Sequence, residues 1–497
     1  MLGDSTFHES RGSAVSRDYP AFAAWFGRQP GENKQSAKLD LEVTNRRPGP
    51  AGALRFDSEY DKFQGMGRTS FHLVFVLCFL SKVACTQGTP GANIDIEERV
   101  FTGSKVYSLL QLRFFPAKGA PAPDLDDSYK AYLHKVLTTD DRRQFDLATI
   151  EFVAQLHSGH TFFWDAWLNK SNNQPLGFYA IPLEGKWVVE TSVVGDLKPG
   201  DVISTIGDTN IEAFFLQQRR YISASSRAAE RRNLFLYPYL FPEQFTLTLE
   251  DSRKVEIDRA TMKKAPEKIE ARWVKAGATA YIRIPSFFDP SQEEQALDFV
   301  RQFHKAKALI LDVRNNPGGI PPERLIRVLM DRPYRGWVES TTASLAMANT
   351  ARQAAKNEPD DSRGVPNAAG NLLGDSKLVL DGQVITASPN AFRGRLILLV
   401  DGGCVSACED LVEPSKESGR ATLVGETTQG SSGLPFIYDF KNGMSLRIAV
   451  KRYCFPDGSE FEGVGIKPDI EVHTTIEDLK NGRDPVLEKA IELAGKP

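Results

Sequence analysis

Ser406 is the residue whose sequence surroundings best suit a nucleophile. The apolar run 396–400 has the length and bounds of a buried strand, and Gly402 and Gly403 break it. From Ser406 the apolar spacing becomes helical, and Gly419 predicts the end of that helix. Ser406 is therefore expected on a sharp turn at the amino end of a helix, where unpaired N–H groups and the helix dipole would stabilise an oxyanion. The alternative is a plain N-cap, a common role of serine before helices.

A serine nucleophile also needs a base, and the chain contains only seven histidines. His160 follows Gly159 at the start of a strand-like run, so its ring could project from a loop end. A purely structural role is the alternative for an isolated histidine. His157, in the last turn of a predicted helix, is expected to interact with the helix dipole.

Composition excludes several other classes of protein. A length of 497 residues suggests about three domains. The net charge of −3, without a basic block, does not favour nucleic acid as a partner. The cysteines show neither a CxxC pair nor zinc spacing, which disfavours a metal site. They are Cys78, Cys85, Cys404, Cys408 and Cys454. No metal or organic cofactor is predicted.

The amino-terminal region has the features of an exported protein. Residues 1–65 are polar and aperiodic, which predicts a disordered or mis-assigned extension, with the true start at Met66. Residues 66–86 combine Arg68, an apolar core and a small-residue exit, as in a secretory signal peptide. An ordinary buried helix is the alternative, and Cys85 as a lipid-attachment site is disfavoured by Lys82. A periplasmic or extracellular location is expected, with membrane association only through the signal or a lipid anchor.

The rest of the chain divides into three parts by its periodicity. Residues 95–165 are predicted to form a helical domain that carries His160, and residues 172–262 a β-rich domain of short strands and turns. Residues 272–497 alternate strands and helices, which predicts an α/β fold class with a layered catalytic core. The segment 334–391 breaks that alternation and is interpreted as a surface insertion.

Four separated motifs together resemble those of the carboxyl-terminal processing, or tail-specific, serine peptidases. They are LDVRNNPGG at 311–319, VSACE at 405–409, GETTQG at 425–430 and EGVGIKPD at 462–469. The resemblance covers roughly residues 106–472. It implies a core like that of crotonases and the Clp protease. The segment LKPGDVISTIGDTNI at 197–211 resembles a PDZ domain, which predicts a PDZ-like module at 172–262. Asp312 and Arg314 are interpreted as holding the glycine turn, and Glu409 and Glu426 as orienting helix ends or loops.

The chain departs from the best-known members of that family at their catalytic lysine. In this sequence the lysine position is Ser431, and Lys441 lies beyond the motif. A second branch, which includes the tricorn core protease, instead uses serine with histidine and glutamate. The segment LHSGHT at 156–161 resembles the histidine motif of that branch, with Ser158 in place of an aspartate. The resemblance therefore implies Ser406 as nucleophile, His160 as base and Glu462 as the residue that holds the imidazole.

Two points about the implied site stay open in the sequence. Glu462 could hold His160 directly, or contact Ser406 or a water and orient His160 only indirectly, and Ser158 could assist His160 by a hydrogen bond. Cys404 and Cys408 flank Ser406 and could pair with each other or with Cys454, or remain packed thiols.

Backbone N–H groups complete the site that the resemblance implies. Those of Ala407 and of Gly318 or Gly319 would form the oxyanion hole. A plain tight turn is the alternative for the two glycines. The loop Leu176-Gly177-Phe178 resembles the PDZ loop that presents N–H groups to a peptide carboxylate, and such domains bind chain ends by strand addition.

The function predicted from these features is that of an exported serine endopeptidase acting on peptides or unfolded protein ends. A non-proteolytic carrier of apolar ligands on the same fold is the principal alternative, and an esterase is another. Cleavage preference does not follow from the sequence, and oligomerisation is left open.

Overall fold

The predicted layered core contains a six-stranded sheet, whose strands lie in the order β20 (Ile470–Glu471), β16 (Ala421–Gly425), β15 (Arg395–Val400), β10 (Ala308–Asp312), β9 (Thr279–Arg283) and β8 (Glu270–Lys275). A computed structural model describes residues 93–117, 119, 123–171, 174–262, 268–342, 377–433 and 435–496. The predicted extension at 1–65 and signal peptide at 66–86 lie outside the described residues. All described residues belong to one compact unit, Pro90–Pro497.

The helices and strands follow the sequence periodicity closely. The described helices are α1 (Ile96–Arg113), α2 (Leu125–Thr138), α3 (Arg142–Ala154), α4 (Ile211–Gln218), α5 (Arg227–Arg232), α6 (Pro290–Gln302), α7 (Glu323–Leu329), α8 (Ala407–Glu417), α9 (Ile476–Asn481) and α10 (Pro485–Ala494). The strands up to the predicted insertion are β1 (Phe162–Asp165), β2 (Phe178–Leu183), β3 (Lys186–Ser192), β4 (Val202–Ile206), β5 (Thr209–Asn210), β6 (Gln244–Leu249), β7 (Lys254–Asp258), β8 (Glu270–Lys275), β9 (Thr279–Arg283) and β10 (Ala308–Asp312). The later strands are β11 (Tyr334–Arg335), β12 (Val338–Thr342), β13 (Lys377–Leu380), β14 (Val384–Ile385), β15 (Arg395–Val400), β16 (Ala421–Gly425), β17 (Pro435–Asp439), β18 (Met444–Ala449), β19 (Arg452–Cys454) and β20 (Ile470–Glu471).

The core sheet is parallel except for β8, which pairs antiparallel with β9. Its strands are apolar on both sides because helices cover both faces. Leu309 and Leu398 pack in the cluster that includes α6, α7 and α8. Ile310 and Leu399, one position further along each strand, pack against α10 on the other face. This is the layered α/β arrangement expected from the alternating pattern.

The β-rich module, residues 178–258, forms a second sheet in the order β2-β3-β4-β6-β7, and β5 pairs with β4. Its strands are antiparallel. Helices α4 and α5 lie between β5 and β6 in the chain. The predicted alternation of strands and turns is therefore present.

Strand β1 connects the amino-terminal helices to the end of the chain. It pairs antiparallel with β18, with Phe162 opposite Arg447. At the last residue of β1, the carboxylate of Asp165 forms a buried ion pair with Arg142 of α3, with 2.7 Å between Arg142 Nε and Asp165 Oδ2. The pairing places His160, two residues before β1, near a strand from the late part of the chain.

The predicted insertion at 334–391 contributes short strands at both of its ends. Strand β12 pairs with β13 and with β19, and β11 pairs with β14. Residues 343–376, its polar middle, lie outside the described residues.

Candidate active site

Ser406 occupies the turn between β15 and α8, as the sequence predicts. Its backbone angles, φ 60° and ψ −125°, lie in a region that residues other than glycine rarely adopt. The N–H of Ser406 donates to the carbonyl oxygen of Ser431 at 2.9 Å. The N–H of Val405 donates to the carbonyl oxygen of Asn316 at 3.1 Å. The turn therefore presents the Ser406 side chain at the carboxyl end of the core sheet.

His160 reaches this turn from the other end of the chain. Its Nε2 lies 3.0 Å from Ser406 Oγ across a sequence separation of 246 residues. The pairing of β1 with β18 brings it there, and Thr161 Oγ1 accepts a hydrogen bond from the N–H of Ala449. A Cβ on Gly159 would lie 2.6 Å from the hydroxyl of Ser431, so only glycine allows this approach.

Glu462 does not contact His160 directly, because Ser431 lies between them. His160 Nδ1 is 2.9 Å from Ser431 Oγ, which donates to Glu462 Oε1 at 3.0 Å. Ser225 Oγ also donates to Glu462 Oε1 and accepts from the N–H of Gly159 at 2.9 Å. The structure thus favours the indirect of the two relations considered for Glu462, but through a serine. Neither Ser431 nor Ser225 was predicted from the sequence as a residue of the site.

The ionised form of Glu462 sets the direction of this hydrogen-bond relay. Each serine hydroxyl has one proton to donate. When Glu462 is ionised, Ser431 donates to it, Ser431 Oγ accepts from His160 Nδ1–H, and Nε2 is left as an acceptor for the Ser406 hydroxyl. That tautomer is the one a general base requires.

Burial favours the neutral forms of both titrating groups. Burial, with the positive charge of Arg447, lowers the pKa of His160 to about 4, so the imidazole is neutral at neutral pH. Burial raises the pKa of Glu462 to about 7, against the opposing effect of the hydrogen bonds from Ser225 and Ser431. The His160 imidazole is therefore neutral over a wide pH range, whereas Glu462 titrates near neutrality.

Glu409 holds the loop that carries Ser431. Its carboxylate accepts hydrogen bonds from Thr428 Oγ1 at 2.6 Å, Gly430 N–H at 2.7 Å and Ser431 N–H at 3.0 Å. It also accepts from the N–H of Ser406 at 3.2 Å. Glu409 therefore fixes Ser431 relative to Ser406, which is the orienting role predicted for it.

The two glycines of the predicted oxyanion hole differ in their hydrogen bonding. The N–H of Gly318 donates to Asn316 Oδ1 at 2.9 Å. For the N–H groups of Gly319 and Ala407, the described residues supply no acceptor. A Cβ on Gly318 would lie 2.7 Å from Ser406 Cβ and 2.9 Å from Ala407 N, so this turn lies against the nucleophile. The geometry favours Gly319 and Ala407 as the donors and gives Gly318 the role of a close-packed spacer.

Asp312 and Arg314, the residues predicted to hold the glycine turn by local pairing, are hydrogen bonded to each other. Arg314 donates to both carboxylate oxygens of Asp312, at 2.9 and 2.6 Å, and also to Asp484. Asn316 Nδ2 donates to the carbonyl of Ile284 at 3.0 Å.

Leu176, Gly177 and Phe178, the loop predicted to bind peptide carboxylates, are covered by neighbouring side chains. A Cβ on Gly177 would lie 2.5 Å from Met262 Sδ and 3.1 Å from Val194. Leu176 and Phe178 are buried. Carboxylate binding at this loop stays a prediction.

Other residues singled out in the sequence lie outside the relay. In the described part of the chain, Ser158 and His160 are not hydrogen bonded to each other; the Ser158 carbonyl accepts from Thr161 N–H. His157 Nδ1 lies 3.7 Å from Glu230. Glu426 lies 3.2 Å from His473 Nδ1. Lys441 is paired with Asp439 on the surface, which agrees with leaving it out of the site.

Two further links reach the nucleophile turn. Arg232, from helix α5 of the β-rich module, donates to Asp401 Oδ2 at 2.6 Å and to Asn315 Oδ1 at 2.7 Å. Cys404 and Cys408 form a disulfide that brackets Ser406, which resolves the pairing left open in the sequence. Cys454 is a buried free thiol.

The described residues contain no group of three or more His, Cys, Asp or Glu side chains arranged to hold a metal ion. Within the same residues, none of the helices combines the length and apolarity that crossing a membrane requires.

Known proteins resemble both the segment that carries Ser406 and longer parts of the chain. Residues 278–472 match the model of peptidase family S41. The curated relatives include carboxyl-terminal-processing peptidase 3 of Arabidopsis thaliana, 27% identical over 205 residues, covering 40% of this chain and 33% of that protein. A C-terminal processing peptidase of Tetradesmus obliquus is 25% identical, covering 55% of this chain and 53% of that protein. The chain thus spans between a third and about half of the length of these relatives. A probable CtpA-like serine protease of Staphylococcus aureus is 24% identical, covering 80% of this chain and 70% of that protein.

The similarity of fold to solved structures extends beyond residues 278–472. Mature CPAF complexed with lactacystin has a TM-score of 0.55 at 16% identity, covering 80% of this chain and 98% of that chain. The predicted α/β fold class and the resemblance to carboxyl-terminal processing peptidases are thereby confirmed.

Proposed function

We propose that this protein is a serine endopeptidase in which Ser406 attacks the peptide carbonyl and His160 is the general base. The observation that carries the proposal is the 3.0 Å contact between His160 Nε2 and Ser406 Oγ. Such a distance allows direct transfer of the hydroxyl proton.

The steps of the reaction follow from the relay. His160 takes the Ser406 proton as the bond to the carbonyl carbon forms, and the imidazolium is stabilised through Ser431 by the charge of Glu462. The negative charge on the carbonyl oxygen is stabilised by the N–H groups of Gly319 and Ala407. His160 then returns the proton to the leaving amine, and water hydrolyses the acyl-enzyme by the same route.

The substrate is proposed to be a peptide or an unfolded protein end. The names of the relatives support this class, since they are described as processing carboxyl termini. Export is proposed as well. The Cys404–Cys408 disulfide supports it, because disulfides persist mainly in oxidising compartments.

A serine-reactive fluorophosphonate probe and a quenched fluorescent unfolded substrate test the proposal together. The wild-type protein should be labelled and should cleave internal peptide bonds, and Ser406→Ala should do neither. Labelling that does not depend on Ser406 would contradict the proposal. Labelling with hydrolysis of esters alone would favour an esterase. Absence of both, with tight binding of an apolar ligand, would favour a carrier.

A further inference from the structure

The Cys404–Cys408 disulfide encloses the nucleophile within a ring of five residues. The two cysteines are four positions apart, with Ser406 midway between them. Cys404 ends the turn that follows β15, and Cys408 is the second residue of α8. The bond therefore ties the approach to the nucleophile to the first turn of the helix behind it.

This ring encloses the strained residue of the site. Ser406 has a φ of 60°, and such a conformation persists only where the surroundings enforce it. The hydrogen bonds already described hold the N–H groups of Ser406 and Val405. The N–H of Cys404 donates to the carbonyl of Asp401 at 3.0 Å, and its carbonyl accepts from Gln429 at 3.0 Å. The disulfide is the only covalent restraint among these.

The size of the ring indicates a local effect of the bond. A disulfide stabilises the folded chain more as the loop it closes becomes longer, and a five-residue loop is near the lower limit. Global stability is therefore a weak reason for this bond. Its position favours a role in the geometry of the turn, because a break would leave the residues on both sides of Ser406 held by hydrogen bonds alone.

We propose that the Cys404–Cys408 disulfide is a positioning element for Ser406 and that its reduction lowers activity reversibly. This inference rests on the proposed function. In the reduction, a thiolate of a dithiol attacks one of the two sulfurs, which breaks the Cys404–Cys408 bond, forms a mixed disulfide and releases the other cysteine as a thiolate. The second thiol of the reductant then displaces the remaining cysteine thiolate. Two electrons and two protons pass to Cys404 and Cys408, and the reductant leaves as a disulfide.

Burial of the two sulfurs determines the kinetics of this step. Both cysteines have no exposed surface, so a thiolate cannot reach them in the closed turn. Reduction must wait for a local opening, and we expect slow inactivation at a rate that stops increasing at high reductant concentration. The bond thus resists brief exposure to reductant.

The test compares Cys404→Ala/Cys408→Ala with Cys454→Ala, which removes a buried sulfur outside the ring. The double variant should lose about 5- to 150-fold in kcat and in the rate of fluorophosphonate labelling, the range expected if the strain of Ser406 is no longer enforced. KM should change less than about twofold, because both sulfurs are buried and have no exposed surface for a substrate to touch. Cys454→Ala should behave as wild type.

A redox titration of the wild-type protein avoids any folding defect of the variants. Dithiothreitol should lower kcat to the level of the double variant, and reoxidation should restore it. The double variant should not respond to dithiothreitol. Full activity of the reduced wild type, shown by thiol counting to have lost the bond, would overturn the proposal.

Hydrogen exchange separates this inference from the proposed function. The amides of residues 404–411 should exchange faster in the reduced protein, whether or not a substrate is cleaved. If the oxidised wild type were not labelled through Ser406, the peptidase proposal would fail, and unchanged exchange would independently overturn the positioning role.

Discussion

Ser431→Ala is the substitution that most directly tests the relay behind His160. Ser431 is fully buried and lies between His160 Nδ1 and Glu462 Oε1, at 2.9 and 3.0 Å. Removing its hydroxyl leaves the Nδ1–H without an acceptor in that direction and separates the imidazolium from the charge of Glu462. The main-chain position of Ser431 should persist, because Glu409 accepts its N–H.

The expected loss of activity follows from the hydrogen bonds that disappear. A buried donor left without a partner costs about 1–3 kcal/mol, and more when the donor becomes charged. The imidazolium is charged only as the reaction proceeds, so we assign the upper value, about 3 kcal/mol, to the transition state. That corresponds to a decrease of about 100-fold in kcat. The direct orienting carboxylate of other triads is worth about 10⁴-fold, and an intermediary serine should be worth less.

Steady-state kinetics on an unfolded substrate provide the assay, with Ser432→Ala as the matched control. Ser432 is also buried, but its hydroxyl donates to Asp410 at 3.0 Å, outside the relay. Ser431→Ala should lower kcat with little change in KM, whereas Ser432→Ala should stay within about threefold of wild type. If Ser431→Ala were as active as Ser432→Ala, the relay would not contribute to catalysis and the reasoning would be wrong.

Three further predictions concern acidity, packing and stability. The value of kcat/KM should fall below a pH of about 7, where Glu462 becomes protonated, and Glu462→Gln should remove this transition; a transition that persisted would contradict the assignment. Gly318→Ala should lower kcat about 100-fold, because its Cβ would meet the nucleophile turn, whereas Gly185→Ala, with a similar positive φ but no neighbour within 4 Å, should be as active as wild type. Burial raises the pKa of Glu413, whose oxygens have no partner among the described residues, to about 8. Its unfolded pKa is about 4.3, so Glu413 increasingly destabilises the fold as the pH rises from that value to about 8. Glu413→Gln should therefore raise the Tm more at pH 8 than at pH 5, and equal increases would contradict this.

The sequence was sufficient to predict the turn around Ser406. A buried strand, paired glycines and a helical pattern follow each other within one local stretch, and β15 and α8 have almost the predicted bounds. The proximity of His160 was predicted only through the family resemblance. No local pattern near His160 indicates that β1 pairs with β18.

The role of Ser431 could not be predicted, because it depends on a distance between three segments. In the sequence, Ser431 was only the position where the family lysine is missing. Glu409 holds Ser431 in position, because its carboxylate accepts hydrogen bonds from the N–H groups of Gly430 and Ser431. The substitution at the lysine position was nevertheless a usable signal, since a residue in that place must lie near the nucleophile.

The covering of the Gly177 loop also lay beyond the sequence. Met262 follows the last strand of the β-rich module and reaches the loop only after the sheet has formed. Spacing along the chain predicts which strands exist, but not which side chain comes to lie over a loop.

The pairing of β1 with β18 has a consequence for synthesis of the protein. Chains emerge from the ribosome amino end first, and each part folds as its partners become present. His160 is made early, but Ser406, Ser431 and Glu462 and the strand that holds His160 in place all follow residue 400. A polypeptide made only as far as residue 400 therefore lacks three of the four residues of the proposed relay, and the proposed mechanism predicts that it cannot cleave itself or its neighbours.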